Sequence, residues 1–274
     1  MRILDTHLHL IYKDRFSYPW LATKPVLDRQ WPAEDYFAEA IPLGIEAALH
    51  MEVDVAESDM LEETRFVTQL HKQVIGAIAA ARPEHADFPA YLEEVSAIPH
   101  VRGIRRILHE VPDAVSETPL FAENIRRLAG YNLPFDLCLR ADQLPIGLAL
   151  VKKAPDVQFI LDHCGNPDIA SNAVEPWLAS IRDLAALPNI AAKISGIATN
   201  ARPGWTAETL QPFVEHVIES FGWDRVVWGS DRPVLSQNGT LARWVEATRA
   251  IIAGASADEQ AKLLYRNAER LYRL

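Results

Sequence analysis

The sequence predicts a single (β/α)8 barrel, a TIM barrel, over residues 1–274. Short apolar runs alternate strictly with longer amphipathic segments, and eight such units fill about 250 residues. Strands that alternate with helices imply a parallel sheet with helical crossovers. The rival, an open doubly wound sheet, normally has a Gly-rich phosphate loop after its first strand. Here His7-Leu8-His9 follows the first strand instead, so we favour the barrel.

The predicted strands are short apolar runs, as is typical of strands buried on both faces. They cover Ile3–His7, Glu46–Val53, Val74–Ala80, Val101–Arg106, Pro134–Leu139, Val157–Leu161, Ile190–Ile194 and Arg225–Trp228. Between the first strand and the first helix, residues 11–32 are rich in Tyr, Trp, Phe and Pro. Long loops in compact domains usually serve function. We therefore expect an ordered lid or pocket wall there, with Trp20 among its aromatic side chains.

Each predicted strand is followed by an amphipathic helix with start or stop signals. Gly44 ends the first helix, Ser58 or Asp59 caps the second, and Gly130 ends the fourth. The predicted helices cover Ala33–Leu43, residues 58–72, Asp87–Ala97, Pro119–Ala129, Gln143–Lys153, Pro176–Ala186, Thr206–Phe221, Leu241–Ala253 and Asp258–Tyr272. The fourth is preceded by a polar loop over His109–Thr118.

The composition argues against several classes of protein. The net charge is −10, which gives no electrostatic footprint for nucleic acid or anionic lipid. No apolar run approaches the ~18 residues that cross a membrane, and we find no secretory signal. Cys138 and Cys164 lie in apolar runs and make no disulfide framework. We expect a cytoplasmic protein with reduced thiols, and the composition is compatible with a homo-oligomer as well as a monomer.

Polar residues cluster where the predicted strands end, which is where TIM-barrel active sites lie. They are His7 and His9 after strand one, Glu52 at strand two, Arg82 after strand three, Arg105 and Arg106 at strand four, Asp136 and Arg140 at strand five, Asp162 and His163 after strand six, Lys193 and Ser195 at strand seven, and Asp231 after strand eight. Residues i and i+2 of a strand point to the same side. His7 and His9 therefore project together, as half of a metal or acid/base site.

Other residues of this set have narrower expected roles. Asp5 and Asp162 are expected to orient an imidazole or cap a turn. Arg105 faces the site and Arg106 faces outward, because alternate residues face opposite sides. Glu52 is either a site residue or a salt-bridge partner of Lys193.

Five of these segments together resemble the amidohydrolase superfamily, within it the branch of metal-dependent hydrolase-like barrels that includes sugar-acid lactonases. They are Asp5-Thr6-His7-Leu8-His9, Gly103-Ile104-Arg105, Leu161-Asp162-His163-Cys164-Gly165-Asn166-Pro167, Lys193-Ile194-Ser195-Gly196 and Gly229-Ser230-Asp231-Arg232-Pro233. The resemblance implies that His7, His9 and Asp231 are metal ligands. It also implies that Asp231 moves the proton of the attacking water and that His163 binds metal or polarises the substrate carbonyl.

The chain departs from that family pattern at strands four and five. Many members have a histidine after strand five and a carboxylated Lys or a Glu after strand four. This chain has Phe135–Arg140 and two arginines there. The resemblance therefore implies at most one divalent metal ion, with zinc expected, because three protein ligands and an open position suffice for catalytic zinc. Some lactonases of this branch work without metal, and that alternative stays open.

The expected reaction is hydrolysis of a small lactone, a sugar-derived aldonolactone such as a fuconolactone or rhamnonolactone. Asp231 deprotonates a water that is bound to metal or held by the histidines, and then protonates the leaving alkoxide. The residues expected to bind this substrate are Arg105, Glu52, Arg140 and Trp20. The alternatives are a lactonase for a dicarboxylate lactone of aromatic degradation, a nonoxidative decarboxylase, and a barrel that binds a sugar acid without turnover.

Overall fold

A computed structural model of the chain describes residues 1–171 and 174–274. Within these residues, eight parallel strands form one sheet in the order β1 to β8. The strands are β1 Ile3–Leu8, β2 Ile45–Met51, β3 Val74–Ala80, β4 Val101–Ile107, β5 Phe135–Cys138, β6 Phe159–Leu161, β7 Ile190–Ile194 and β8 Val226–Trp228. A parallel bridge between Leu8 and Arg232 joins β1 to the segment after β8. The predicted TIM barrel is confirmed.

Helices surround the barrel and connect its strands. They are α1 Ala33–Ala40, α2 Met60–Leu70, α3 Phe88–Ser96, α4 Ala114–Glu117, α5 Pro119–Tyr131, α6 Leu144–Lys153, α7 Trp177–Ala185, α8 Ala207–Phe221, α9 Leu241–Ile251, α10 Ala257–Ala261 and α11 Asn267–Leu271. A π-helical segment, Lys262–Arg266, joins α10 to α11. None of the helices in the described part of the chain is both long and apolar enough to span a bilayer.

Two predicted details of the helices are wrong. Gly130 does not end the fourth predicted helix, because α5 continues to Tyr131 and stops at Asn132. Asn132 adopts the left-handed backbone, with φ at 55°, and asparagine tolerates that conformation almost as glycine does. The segment predicted as a polar loop before α5 contains the short helix α4.

The apolar core has two layers. Inside the barrel, side chains of alternate strand positions pack together, among them Leu4, Leu49, Ile78 and Val227. Residues of α11 and the following Tyr272 join this inner cluster, so the C-terminal segment plugs the barrel. A larger cluster fills the space between the strands and the helices.

The segment between β1 and α1 is ordered, as predicted. Ile11 pairs with Trp31 in an antiparallel bridge, and Pro19–Thr23 forms a 3-10 turn. Leu21 and Leu27 are buried against residues that follow β2. The Trp20 indole nitrogen donates to the Val53 carbonyl at 2.8 Å. This anchors the segment over the ends of the strands.

Candidate active site

The structure brings His7, His9 and Asp231 together at one end of the barrel. Nε2 of His9 lies 3.4 Å from Oδ1 of Asp231, and Nε2 of His7 lies 3.8 Å from the same oxygen. The backbone holds this geometry, because Asp231 N donates to His7 O at 2.8 Å and His9 N donates to Arg232 O at 2.7 Å. Asp231 adopts a left-handed backbone, with φ at 58°, a conformation that aspartate tolerates better than most residues. The seam between β1 and β8 that closes the barrel thus also carries these three candidate site residues.

His9 is oriented by main-chain carbonyls. Its Nδ1 lies 3.0 Å from the carbonyl oxygens of both Met51 and Glu52. Carbonyl oxygens only accept hydrogen bonds, so Nδ1 carries the hydrogen and Nε2 keeps a lone pair. That lone pair faces Asp231, in the orientation that metal-binding histidines usually have.

His163 lies on the other side of His7, with 4.4 Å between the two ring centroids. Its Nδ1 is 2.9 Å from the Ser195 hydroxyl. A side chain on Gly196 would destroy this arrangement, because its Cβ would lie 2.3 Å from His163 Nδ1. Gly196 also has φ at 67°, which favours glycine. The sequence places Ser195 at the end of strand seven but does not indicate its contact with His163, and the Ser-Gly pair directly after a strand is the only local signal of this arrangement.

Arg105 is buried and reaches into the site, as predicted. Its Nε donates to Glu52 Oε1 at 2.7 Å, and its Nη2 donates to Glu52 O at 2.8 Å. The second Glu52 oxygen accepts from Asp54 N at 2.7 Å. Burial raises the pKa of Glu52, but Arg105, the Asp54 backbone N–H and Arg82 together hold that pKa below its usual value. Glu52 is therefore the partner of Arg105 and not of Lys193, while Arg106 faces outward and pairs with Glu84.

Three ionisable side chains lie in the barrel beneath His7. Lys193 Nζ is 2.5 Å from Asp136 Oδ1 and 3.0 Å from Asp162 Oδ1. Asp162 Oδ1 lies 3.3 Å from His7 Nδ1, so Asp162 orients an imidazole as predicted. Burial raises the pKa of Asp136 to about 6 against the pull of Lys193. Burial also lowers the pKa of His7 well below its usual value, which favours the neutral imidazole.

Asp5 caps the turns that hold His7 and Asp231 in the candidate site. Its Oδ1 accepts from His7 N at 3.0 Å and from Ser230 N at 2.8 Å. Its Oδ2 accepts from the Tyr36 hydroxyl at 2.5 Å. Asp5 thus ties β1, the segment after β8 and α1 together. Tyr36 was missed from the sequence, because a buried tyrosine in a helix has no local signature of its partner.

The structure does not bring Arg140 to this cluster. Its Nε donates to Asp142 at 3.0 Å, and its Nη1 donates to the His109 carbonyl at 2.9 Å. Its side chain is 43% exposed. Trp20 lies at the rim beside Val53. Substrate binding by Arg105, Glu52, Arg140 and Trp20 stays a prediction.

Two groups of side chains in the described residues have donor atoms within 4.8 Å of one another and could hold a divalent metal ion: His7, His9 and Asp231, and His7, Asp162 and His163. The first group fits, since its 3.4 and 3.8 Å spacings are close to the ~3.3 Å between ligands of tetrahedral zinc. In the second group, the Lys193 ammonium already lies 3.0 Å from Asp162 and 3.2 Å from His7. Arg105 Nη1 also lies 3.3 Å from His7 Nε2, so an ion in the first group requires this guanidinium to move aside. With that movement, the donor set fits one ion.

The fold and the site together define a class of protein. The chain is an eight-stranded TIM barrel that presents two histidines at the end of β1, one after β6 and an aspartate after β8. The amidohydrolase family model matches residues 4–274, and the chain belongs to that family.

Individual relatives agree with this assignment. An uncharacterised protein, y4mH, of Sinorhizobium fredii is 30% identical over 99% of this chain and 98% of its own length. A protein named L-fucono-1,5-lactonase from Burkholderia ambifaria is 28% identical over 85% of this chain and 83% of its own. A zinc-bound crystal structure of an amidohydrolase from Burkholderia multivorans has the same fold, with a TM-score of 0.92, full coverage of both chains and 23% identity.

Proposed function

We propose that the chain is a lactonase that opens an uncharged, hydroxyl-rich aldonolactone. The similarity to the Burkholderia ambifaria protein named L-fucono-1,5-lactonase supports a lactone substrate. The buried Asp231, flanked by two histidine nitrogens, is suited to proton transfer with water. These features support ester hydrolysis at this site.

An uncharged substrate is favoured because the arginines at the ends of β3, β4, β5 and β8 are already paired with carboxylates. Each pairs with a carboxylate of the chain itself: Arg82 with Asp54, Arg105 with Glu52, Arg106 with Glu84, Arg140 with Asp142 and Arg232 with Glu39. A dicarboxylate lactone needs cations that can pair with its two carboxylates. None of these five arginines, in the part of the chain described, is left for that purpose. This arrangement favours the aldonolactone over the dicarboxylate lactone.

The mechanism assigns one task to each side chain. Asp231 accepts a proton from water, and the hydroxide attacks the lactone carbonyl carbon. The Ser195 hydroxyl donates to His163 Nδ1, which leaves the Nε2 hydrogen to stabilise the developing oxyanion. The ring C–O bond then breaks, and Asp231 returns its proton to the alkoxide. The product is the open hydroxy acid.

We infer that one divalent ion, zinc, would be held by His7, His9 and Asp231. When bound, such an ion supplies Lewis-acid polarisation of the carbonyl oxygen. The charges around the site support a cation. Five buried carboxylates lie in and around the site, Asp5, Glu52, Asp136, Asp162 and Asp231, against two buried cations, Arg105 and Lys193. Uncompensated buried charge is costly, and a divalent ion would offset most of this excess.

The test is a panel of aldono-1,5-lactones and muconolactone-type dicarboxylates, with ring opening followed by acid release in weak buffer. We expect turnover of aldonolactones and a kcat/KM for dicarboxylates at least about tenfold lower. Asp231→Asn should lower kcat by about 10²- to 10⁴-fold, the usual contribution of a general acid–base, with an unchanged Tm. Asp156→Asn, at an exposed aspartate between α6 and β6, is the matched control. Preference for the dicarboxylate, or an active Asp231→Asn, would contradict the proposal.

A further inference from the structure

Four basic side chains line a cleft at the end of the barrel opposite the candidate active site. The cleft has a volume of about 500 Å³ and lies where α2 ends and where β3 and β4 begin. Its basic residues are His71, Lys72, His100 and Arg102, and we call it the basal cleft. We propose that the basal cleft binds the phosphate group of a small anion, either inorganic phosphate or a phosphate monoester. This site is separate from the proposed lactone hydrolysis and does not depend on it.

The positive charges of Lys72 and Arg102 are not neutralised by the chain itself. Within the described residues, neither side chain forms an ion pair or donates a hydrogen bond, and Nε of Arg102 is buried without a partner. The chain has a net charge of −10, so carboxylates are plentiful. At the same end of the barrel, however, Glu46 and Glu269 pair with Arg2 instead. A bound anion would supply the missing counter-charge.

The chain holds the Arg102 side chain at the cleft. A Cβ on Gly76 would lie 2.5 Å from Arg102 Cγ, so the glycine leaves room for the aliphatic stem of the arginine against β3. The His100 carbonyl accepts from Ala77 N at 2.9 Å, which fixes the turn before β4. The guanidinium is therefore carried on a half-buried stem, and little side-chain freedom remains to be lost when an anion binds.

His71 adds a hydrogen-bond donor. Its Nδ1 lies 3.2 Å from Gln73 N, and a backbone N–H only donates, so Nδ1 keeps a lone pair and Nε2 carries the hydrogen. Its ring stacks on Phe37 with 4.8 Å between the ring centroids, which fixes the ring plane. Cations favour the C-terminal end of a helix, and this accounts for basic residues after α2. It does not account for Arg102, which belongs to β4.

The chemistry of these donors favours phosphate. Guanidinium and ammonium groups bind phosphate oxygens through charge-assisted hydrogen bonds. Donors that come from the end of α2 and from β4 suit the several oxygens of a phosphate better than the two of a carboxylate. Val74, Ile75 and Leu274 also line the cleft, and ligand pockets typically have volumes of about 300–1,000 Å³. The basal cleft therefore has room for a small organic group next to the phosphate.

Isothermal titration calorimetry at constant ionic strength tests the proposal with inorganic phosphate, phenyl phosphate and benzoate. We expect the better of the two phosphates to bind with a Kd at or below about 1 mM, and benzoate to bind at least about tenfold more weakly. Equal affinity for the two phosphates would assign free phosphate to the cleft. Tighter binding of phenyl phosphate would assign a monoester, and either result supports the proposal.

Three variants locate the binding site. Arg102→Met keeps an apolar stem but removes the guanidinium, and it should weaken phosphate binding about tenfold. Lys72→Gln, at an exposed lysine, should weaken it about threefold. The matched control is Lys152→Gln, at an exposed lysine of α6 outside the cleft. It removes the same charge and should leave Kd unchanged.

Three results would overturn the proposal: neither phosphate binds, benzoate binds as tightly as phosphate, or Arg102→Met and Lys152→Gln have the same affinity for phosphate. The titrations need no lactone and no turnover. A failure of the proposed lactonase activity would therefore leave this test unaffected.

Discussion

Replacing Gly196 with alanine tests whether the close approach of Gly196 to His163 sets the catalytic geometry. The new Cβ would lie 2.3 Å from His163 Nδ1 and 2.6 Å from its Cγ, whereas ordinary contact begins at 3.4 Å. The ring must therefore retreat by about 1 Å, which breaks its 2.9 Å bond to the Ser195 hydroxyl. A displacement of about 1 Å at a catalytic group can lower the rate about 100-fold.

The Gly196→Ala variant also carries a backbone penalty that has to be separated from the steric effect. A left-handed L-residue costs about 1–2 kcal/mol, which lowers Tm by about 2–8 °C in a domain of this size. Gly204→Ala is the matched control. Gly204 has φ at 87° on the same loop, and a Cβ there would meet nothing within 4 Å. It should show a similar loss of Tm.

Initial rates on an aldonolactone, together with thermal melts, distinguish the two variants. Gly204→Ala should keep wild-type kcat, and Gly196→Ala should lose about two orders of magnitude. The reasoning would be refuted if Gly196→Ala had a kcat within about threefold of the control. In that case, the His163–Ser195 contact would not control turnover.

Three further predictions concern charge. Glu52→Gln removes the carboxylate charge that pairs with the buried Arg105 guanidinium. The free energy of unfolding, measured in urea, should fall by about 3–5 kcal/mol. A loss under about 1 kcal/mol would contradict this. Burial raises the folded-state pKa of Asp136 to about 6. The protonated Asp136 carboxyl therefore stabilises the fold fully below about pH 4, and this stabilisation is lost as the pH rises through 6. Asp136→Asn should therefore gain stability relative to wild type over that range in melts at stepped pH. Zinc titration after chelator dialysis should give one equivalent, absent in His9→Ala, and two equivalents would refute the single-ion site.

Local sequence patterns predicted the fold because they report on the backbone. The alternation of apolar runs and amphipathic segments leaves few topologies, and the parallel strands put all their C-terminal ends on one side. The two-residue period of a strand then placed His7 and His9 together. Asp231 and His163 lie close to these two histidines because Asp231 is in the segment after β8 and His163 is in the segment after β6.

Only the tertiary structure decided which charges pair. Lys193 and Asp136 are 57 residues apart, and their contact depends on how β5 and β7 project into the barrel. Glu52 was open between two roles, and the sheet places it against Arg105. Arg140, one residue beyond the Leu139 that follows β5, turns outward to Asp142. Partner choice depends on register and side-chain direction across the barrel, which no local pattern encodes.

The sequence by itself therefore determined the barrel, its active end and the four residues that meet there. The structure decided how those residues are held: Gly196 leaves room for the His163 ring, and Lys193, Asp136 and Asp162 lie beneath His7. These constraints come from atoms that are distant in the chain and close in space. Packing is specific at distances of a few tenths of an ångström, whereas sequence patterns fix only which face a residue occupies.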